Sequence, residues 1–134
     1  MSGFSAEVSE QIIVRDLGCC ARCGRHVAHL ERGVAWSVHH RRPRGMGGAG
    51  ADWINRAANG LVLCGSGTTG CHGWVEKHRD RARELGFLVP RGVLRADEVS
   101  IVHAVLGHVL LTDEGGFIPV EEGPSPESMW KDVA

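Results

Sequence analysis

Residues 59–78 read NGLVLCGSGTTGCHGWVEKH. The short apolar run Leu61-Val62-Leu63, bounded by glycine and cysteine, predicts a buried strand. The following CGSGTTG is too rich in Gly, Ser and Thr for regular structure and reads as a loop. From about Gly73 to Leu85, Trp74, Val75, Ala82 and Leu85 recur among charged residues. That pattern predicts an amphipathic helix, with Gly86 as its stop. Cys64 and Cys71 therefore bracket the loop, and His72 opens the helix.

Upstream, Val34 to His40 alternates loosely and contains Trp and Val, which predicts a strand ending in His39-His40. Residues 41–52 (RRPRGMGGAGAD) carry one Pro and four Gly and read as an open loop. Residues 19–26 (CCARCGRH) read as a tight, knuckle-like turn. Before them, Val8, Ile12, Ile13 and Leu17 lie at helical spacing over residues 5–17, with Ser5 as cap and Gly18 as terminator. Downstream, apolar runs over 87–111 have no assignable period. Val109 to Thr112, the turn DEGG and Phe117 to Val120 read as a β-hairpin. Residues 123–134 are expected to be mobile. The chain reads as one domain of 134 residues, with a core over about 19–86 and an extension over 87–122.

Composition narrows the class further. Hydrophobic residues make up 43% and charged residues 23%, as in ordinary globular domains. The 19 glycines imply many turns, and so small a framework benefits from a staple. The five cysteines are odd in number, and neither a signal peptide nor an 18-residue apolar run is read, so a reducing cytoplasm is expected. There, clustered cysteines favour metal over disulfides. Residues 1–95 hold 14 Lys+Arg against 8 Asp+Glu, and residues 96–134 hold 1 against 8. A net of +6 on the body and −7 on the tail allows one face to meet a polyanion while the tail points away.

Cys20-x2-Cys23 and Cys64-x6-Cys71 supply two thiolate pairs of the kind that close a tetrahedral structural Zn²⁺ site. Cys19, His26 and His29 are competitors for those positions. Adjacent strand residues point to opposite sides, so His39 and His40 are expected to do different jobs. One can hold a metal while the other takes a proton from water, a task that suits an imidazole near neutral pH.

Between Cys20 and His78 the stretches C-x2-C, VHHRRPRGMGG, NGLVLC and GCHGWVEKH resemble the HNH (ββα-metal) endonucleases, particularly short zinc-stapled versions from bacteriophages and prophages. The resemblance covers roughly two-fifths of the chain. It implies a small α+β fold with a zinc-stapled ββα core, here joined by an N-terminal helix and a C-terminal β-rich extension. It also implies metal-dependent hydrolysis of DNA phosphodiester bonds, leaving 5′-phosphate and 3′-hydroxyl ends. Carried onto this sequence, His39 becomes a metal ligand, His40 the general base, Asn59 the loop-forming and base-orienting residue, and His72 a second ligand. A third ligand falls on Glu76, four residues beyond His72 on the same helical face, with His78 as rival. The Asn-to-His gap of 13 exceeds that of members with a two-residue second cysteine gap by four, and Cys64-x6-Cys71 accounts for those four. The implied catalytic ion is Mg²⁺ or Mn²⁺. Phage members are often linked to terminase-driven genome packaging, which implies terminase or other packaging proteins as partners.

Arg41, Arg42 and Arg44, directly after the histidine pair, are expected to seat the DNA backbone through bidentate phosphate contacts. Lys77, Arg79, Arg81 and Arg83 either track a neighbouring phosphate or form a solvated helix face. A non-catalytic zinc-dependent DNA-binding module and a structural zinc protein are the competing classes; neither needs a general base.

Overall fold

The protein, represented by a computed structural model, is described here over residues 3–43, 52–92 and 94–121. It is a small α+β fold. Three α-helices and two antiparallel sheets lie within the described residues. The first helix, α1, spans Ala6–Arg15. Its free amides are met at the start by Ser5, whose Oγ accepts from Val8 N at 3.1 Å. Leu17 (φ 58°) and Gly18 (φ 70°) take left-handed conformations that turn the chain out of the helix. For Leu17 that conformation is strained.

Strands β1 (Trp36–His40) and β2 (Gly60–Cys64) pair antiparallel, with Trp36 opposite Cys64 and His40 opposite Gly60. Because side chains alternate along each strand, Ser37, His39, Leu61 and Leu63 share one face, and Val38, His40, Gly60 and Val62 share the other. Helix α1 packs on the second face. A side chain on Gly60 would collide with Ile12 and Phe4, so glycine there lets the helix approach the sheet. Helix α2 (Gly70–Lys77) serves the first face, where His72 meets Ser37 at 3.2 Å.

The helix expected over 73–85 is two helices, α2 and α3 (Arg79–Leu85). His78 breaks it at φ −121°, ψ 56°. There its ring stacks on Trp74 (centroids 4.8 Å apart) and its Nδ1–H donates to Trp74 O at 3.0 Å. Gly86 (φ 90°) ends α3 as expected, and Phe87, Leu88 and Val89 then run through the core.

Beyond residue 100, β3 (Ile101–His103), β4 (Gly107–Leu111) and β5 (Phe117–Pro119) form a three-stranded meander. The expected hairpin is present as β4–β5, and β3 adds a strand the sequence pattern did not resolve. A buried polar group locks this sheet to the rest. Asp16 accepts from Arg15 Nε, from His103 Nε2 and from Val62 N, each at 2.9 Å. Arg15 in turn donates to Ala57 O and Gly60 O. Among the described residues, no helix is long and apolar enough to cross a membrane.

Candidate functional site

Two groups of donor side chains lie around β1, β2 and α2. The first is Cys20, Cys23, Cys64 and Cys71, whose sulfurs all lie within 4.8 Å of one another. Sulfurs around a tetrahedral Zn²⁺ at the usual bond length sit about 3.8 Å apart. Cys23 and Cys64 Sγ are 3.9 Å apart, so the set fits a metal such as zinc. The two turns that present them are local products of sequence. Gly24 (φ 79°) closes the Cys20–Cys23 turn, with its N–H donating to Cys20 O at 2.9 Å. Gly65 and Gly70, both at positive φ, let the second loop fold so closely that a Cβ on either would strike backbone.

Three of the four cysteines are buried. The four thiols share protons among themselves: hydrogen bonds from the Cys20 thiol hold Cys64 and Cys23 below the ordinary thiol value, Cys23 at about 6, while hydrogen bonds within the group and burial push Cys20 and Cys71 up. Cys71 N–H also donates to Cys64 Sγ at 3.4 Å, and the buried Arg22 donates to Cys71 Sγ at the same distance. The Arg22 guanidinium lies 3.7 Å above the Trp74 ring. The Cys71 N–H and Arg22 contacts each favour the thiolate they reach, the form in which cysteine binds a metal. Sequence reading missed Arg22; its place inside Cys20-x2-Cys23 was the available signal. Cys19 lies outside the group and contacts Leu17 O at 3.5 Å, while His26 and His29 pair with each other through Nδ1 atoms 3.0 Å apart.

The second group is His39, His72 and Glu76, with donor atoms again within 4.8 Å. His39 is buried on β1, and its Nε2–H donates to Phe87 O at 2.9 Å. That bond fixes the tautomer in which Nδ1 is the ligating nitrogen. Burial pushes the His39 pKa down to about 3 and also lowers that of half-buried His72. Both rings are thus held neutral at physiological pH, the form in which imidazole binds metal. Ser37 orients His72 through its Nδ1, and Glu76 is exposed one helical turn on. The group contains Glu76 and not the rival His78, whose ring lies over Trp74.

His40, the last residue of β1, takes the opposite face. Its ring stacks on Phe4 with centroids 3.9 Å apart and planes 10° from parallel. Its Nε2 lies 2.8 Å from Asn55 Oδ1. Asn59 has a different task. It is fully buried, accepts from Arg42 N at 2.8 Å, and donates to Arg42 O (3.1 Å) and Ile54 O (2.8 Å). Its amide is therefore spent tying the two ends of the loop together, which matches the loop-forming role and not a metal ligand.

The arginine expectation needs correction. Arg41 is fully buried and donates to Gly86 O, Ala58 O, Ala96 O and Val99 O. A guanidinium satisfied by four carbonyls in the core cannot seat a phosphate. Arg42 is half-buried, 5.5 Å over Trp53, and Arg44 lies outside the described residues. Arg79, Arg81 and Arg83 pair with Glu76, Glu84 and Asp80, as on a solvated helix face. No protein-family model matches the chain, and neither a curated protein nor a solved structure matches it.

Proposed function

We propose that this protein is a metal-dependent endonuclease of the HNH type that hydrolyses DNA phosphodiester bonds. The observation that carries this reading is the three-donor group His39, His72 and Glu76, with His40 next in sequence on the other face of β1 and the four-cysteine group on elements of the same strand pair. Zinc in the cysteine group is the staple. Mg²⁺ or Mn²⁺ is the ion for the second group; when bound, it neutralises the scissile phosphate and stabilises the leaving oxygen. Three protein donors leave room for water and phosphate, the arrangement of a catalytic rather than a structural site.

The chain's own part in the chemistry is positioning and proton transfer. Asn55 Oδ1 accepts from His40 Nε2–H, and in that tautomer Nδ1 is the basic nitrogen. His40 takes a proton from a water whose oxygen bonds to phosphorus while the bond to the 3′-oxygen breaks. Solvent protonates that oxygen, leaving 3′-hydroxyl and 5′-phosphate ends. His39 and His72, neutral by burial, supply nitrogen lone pairs without first losing a proton. A phage packaging setting, with terminase as partner and the host cytoplasm as location, belongs to this proposal through the sequence resemblance.

Cleavage of supercoiled plasmid with added Mg²⁺ or Mn²⁺ tests it, comparing the native protein with His40→Ala. The expected loss in the variant is at least about a hundredfold, the scale of general-base catalysis. Equal cleavage by both proteins would remove the mechanism.

A further inference from the structure

We propose that Asn55, a residue outside the histidine–asparagine–histidine pattern, is the positioning residue for His40; the inference rests on the nuclease reading for its consequence but not for its geometry. A histidine that acts as a base works through the tautomer and angle that a third group imposes on it. Asn59 is the residue that the resemblance assigns to that task, yet its amide oxygen and nitrogen are engaged by the backbone of Arg42 and Ile54. Asn55 Oδ1 lies 2.8 Å from His40 Nε2, so this asparagine makes the contact with the imidazole that Asn59 does not make.

The surroundings make that contact specific. Asn55 follows two anchors, since Trp53 and Ile54 are each only 6% exposed. Asn59 Nδ2 holds Ile54 O, and Arg56 N bonds Trp53 O at 3.1 Å, so the peptide carrying Asn55 is fixed on both sides. Asn59 therefore acts on His40 at one remove, by holding the turn that presents Asn55. Phe4 stacks on the ring and limits its rotation, while Oδ1 fixes which nitrogen bears the hydrogen. An oxygen acceptor at this point favours the Nε2–H form.

The test uses the zinc-loaded full chain, first without any added divalent ion. Nitrogen-15 NMR of the His40 ring is expected to show the Nε2–H tautomer in the native protein and in Asn55→Asp, which keeps the acceptor. Asn55→Ala is expected to shift the ring nitrogens towards a mixture. Asn55→Ser, too short to reach, gives the same readout should the alanine variant not fold. Native-like ring shifts in both shortened variants would overturn the proposal.

The second reading is single-turnover plasmid cleavage with Mn²⁺ at saturating protein. Asn55→Ala is expected to be slower by up to about a hundredfold, the scale of losing alignment by an ångström. DNA affinity should be unchanged, and Asn55→Asp should recover much of the rate. Equal rates for native and alanine proteins would also overturn it. If the native protein cleaves with no metal, the nuclease reading fails while the tautomer measurement still decides the role of Asn55.

Discussion

The two donor groups differ in the kind of donor, in burial and in what surrounds them. The cysteine group has four like donors, three of them buried, gathered from two tight turns and backed by Arg22 and a backbone N–H. The histidine group has three donors of two kinds, two imidazoles and an exposed carboxylate. Four soft thiolates close a coordination sphere, whereas two imidazoles and a carboxylate leave it open to water and phosphate. Yet the groups share one helix: Cys71 points into the first and its neighbour His72 into the second. Dependence is therefore expected to run one way: disturbing the sulfurs should displace His72, while loss of the second group should leave the sulfurs in place.

The largest expected effect therefore comes from the closed group. Cys71→Ser should release zinc and unfold the chain, since structural zinc supplies on the order of 10 kcal/mol in small domains. Zinc per chain together with a circular-dichroism melt measures this. A Cys71→Ser protein that keeps its zinc and its melting temperature would break the comparison at its root.

Next in size is Arg41, which serves neither group directly. Arg41→Met strands the Gly86, Ala58, Ala96 and Val99 carbonyls, each a buried acceptor of its guanidinium. A loss of about 3–5 kcal/mol is expected from urea unfolding, the scale for breaking a buried charged network. A loss near zero, with weaker DNA binding instead, would restore Arg41 to the phosphate-binding set.

A smaller effect should appear in acid. Burial would raise the Asp16 pKa, but the Arg15 guanidinium and the His103 hydrogen bond outweigh it and hold the carboxyl below its ordinary 3.8. The unfolded chain then binds the proton first as pH falls, so Asp16 contributes stability that is present above 3.8 and lost as pH drops through the folded value. Unfolding titrations between pH 6 and pH 2 should show this slope, reduced in Asp16→Asn. The same slope in both proteins would remove Asp16 from the account.

The smallest effect sharpens the open group. Glu76→Gln should weaken Mn²⁺ binding by at least the roughly tenfold typical of losing a group that supports a ligand. Its melting temperature should hardly change, because the exposed pair with Arg79 is worth under about 1 kcal/mol. Unchanged Mn²⁺ affinity by calorimetry would leave His39 and His72 without a third protein ligand.

Both groups were legible largely because metal ligands obey spacing. Cys20-x2-Cys23, Cys64-x6-Cys71 and the i, i+4 step from His72 to Glu76 are local rules that survive folding. The strand pair and the β4–β5 hairpin followed from alternation and turn chemistry. What escaped were side chains whose destinations depend on the tertiary fold. Arg41 looked like a phosphate clamp in RRPR, although strand parity offered a clue. Two residues after His39, it faces the same side, and the pair bond the consecutive carbonyls Phe87 O and Gly86 O. Asn55 had no spacing rule, and no helix-breaking residue marked the turn at His78, where the ring stacks on Trp74. Likewise, β3 is a three-residue strand in an apolar run with no period, defined by its pairing to β4.

The most direct test of the division between the groups counts metals and cleavage in one sample. Protein carrying one zinc per chain should leave plasmid intact, then bind one Mn²⁺, seen by electron paramagnetic resonance, and cleave as that ion binds. His72→Ala should keep the zinc and lose both the Mn²⁺ signal and the cleavage. A His72→Ala protein that binds Mn²⁺ and cleaves like the native chain would contradict the account.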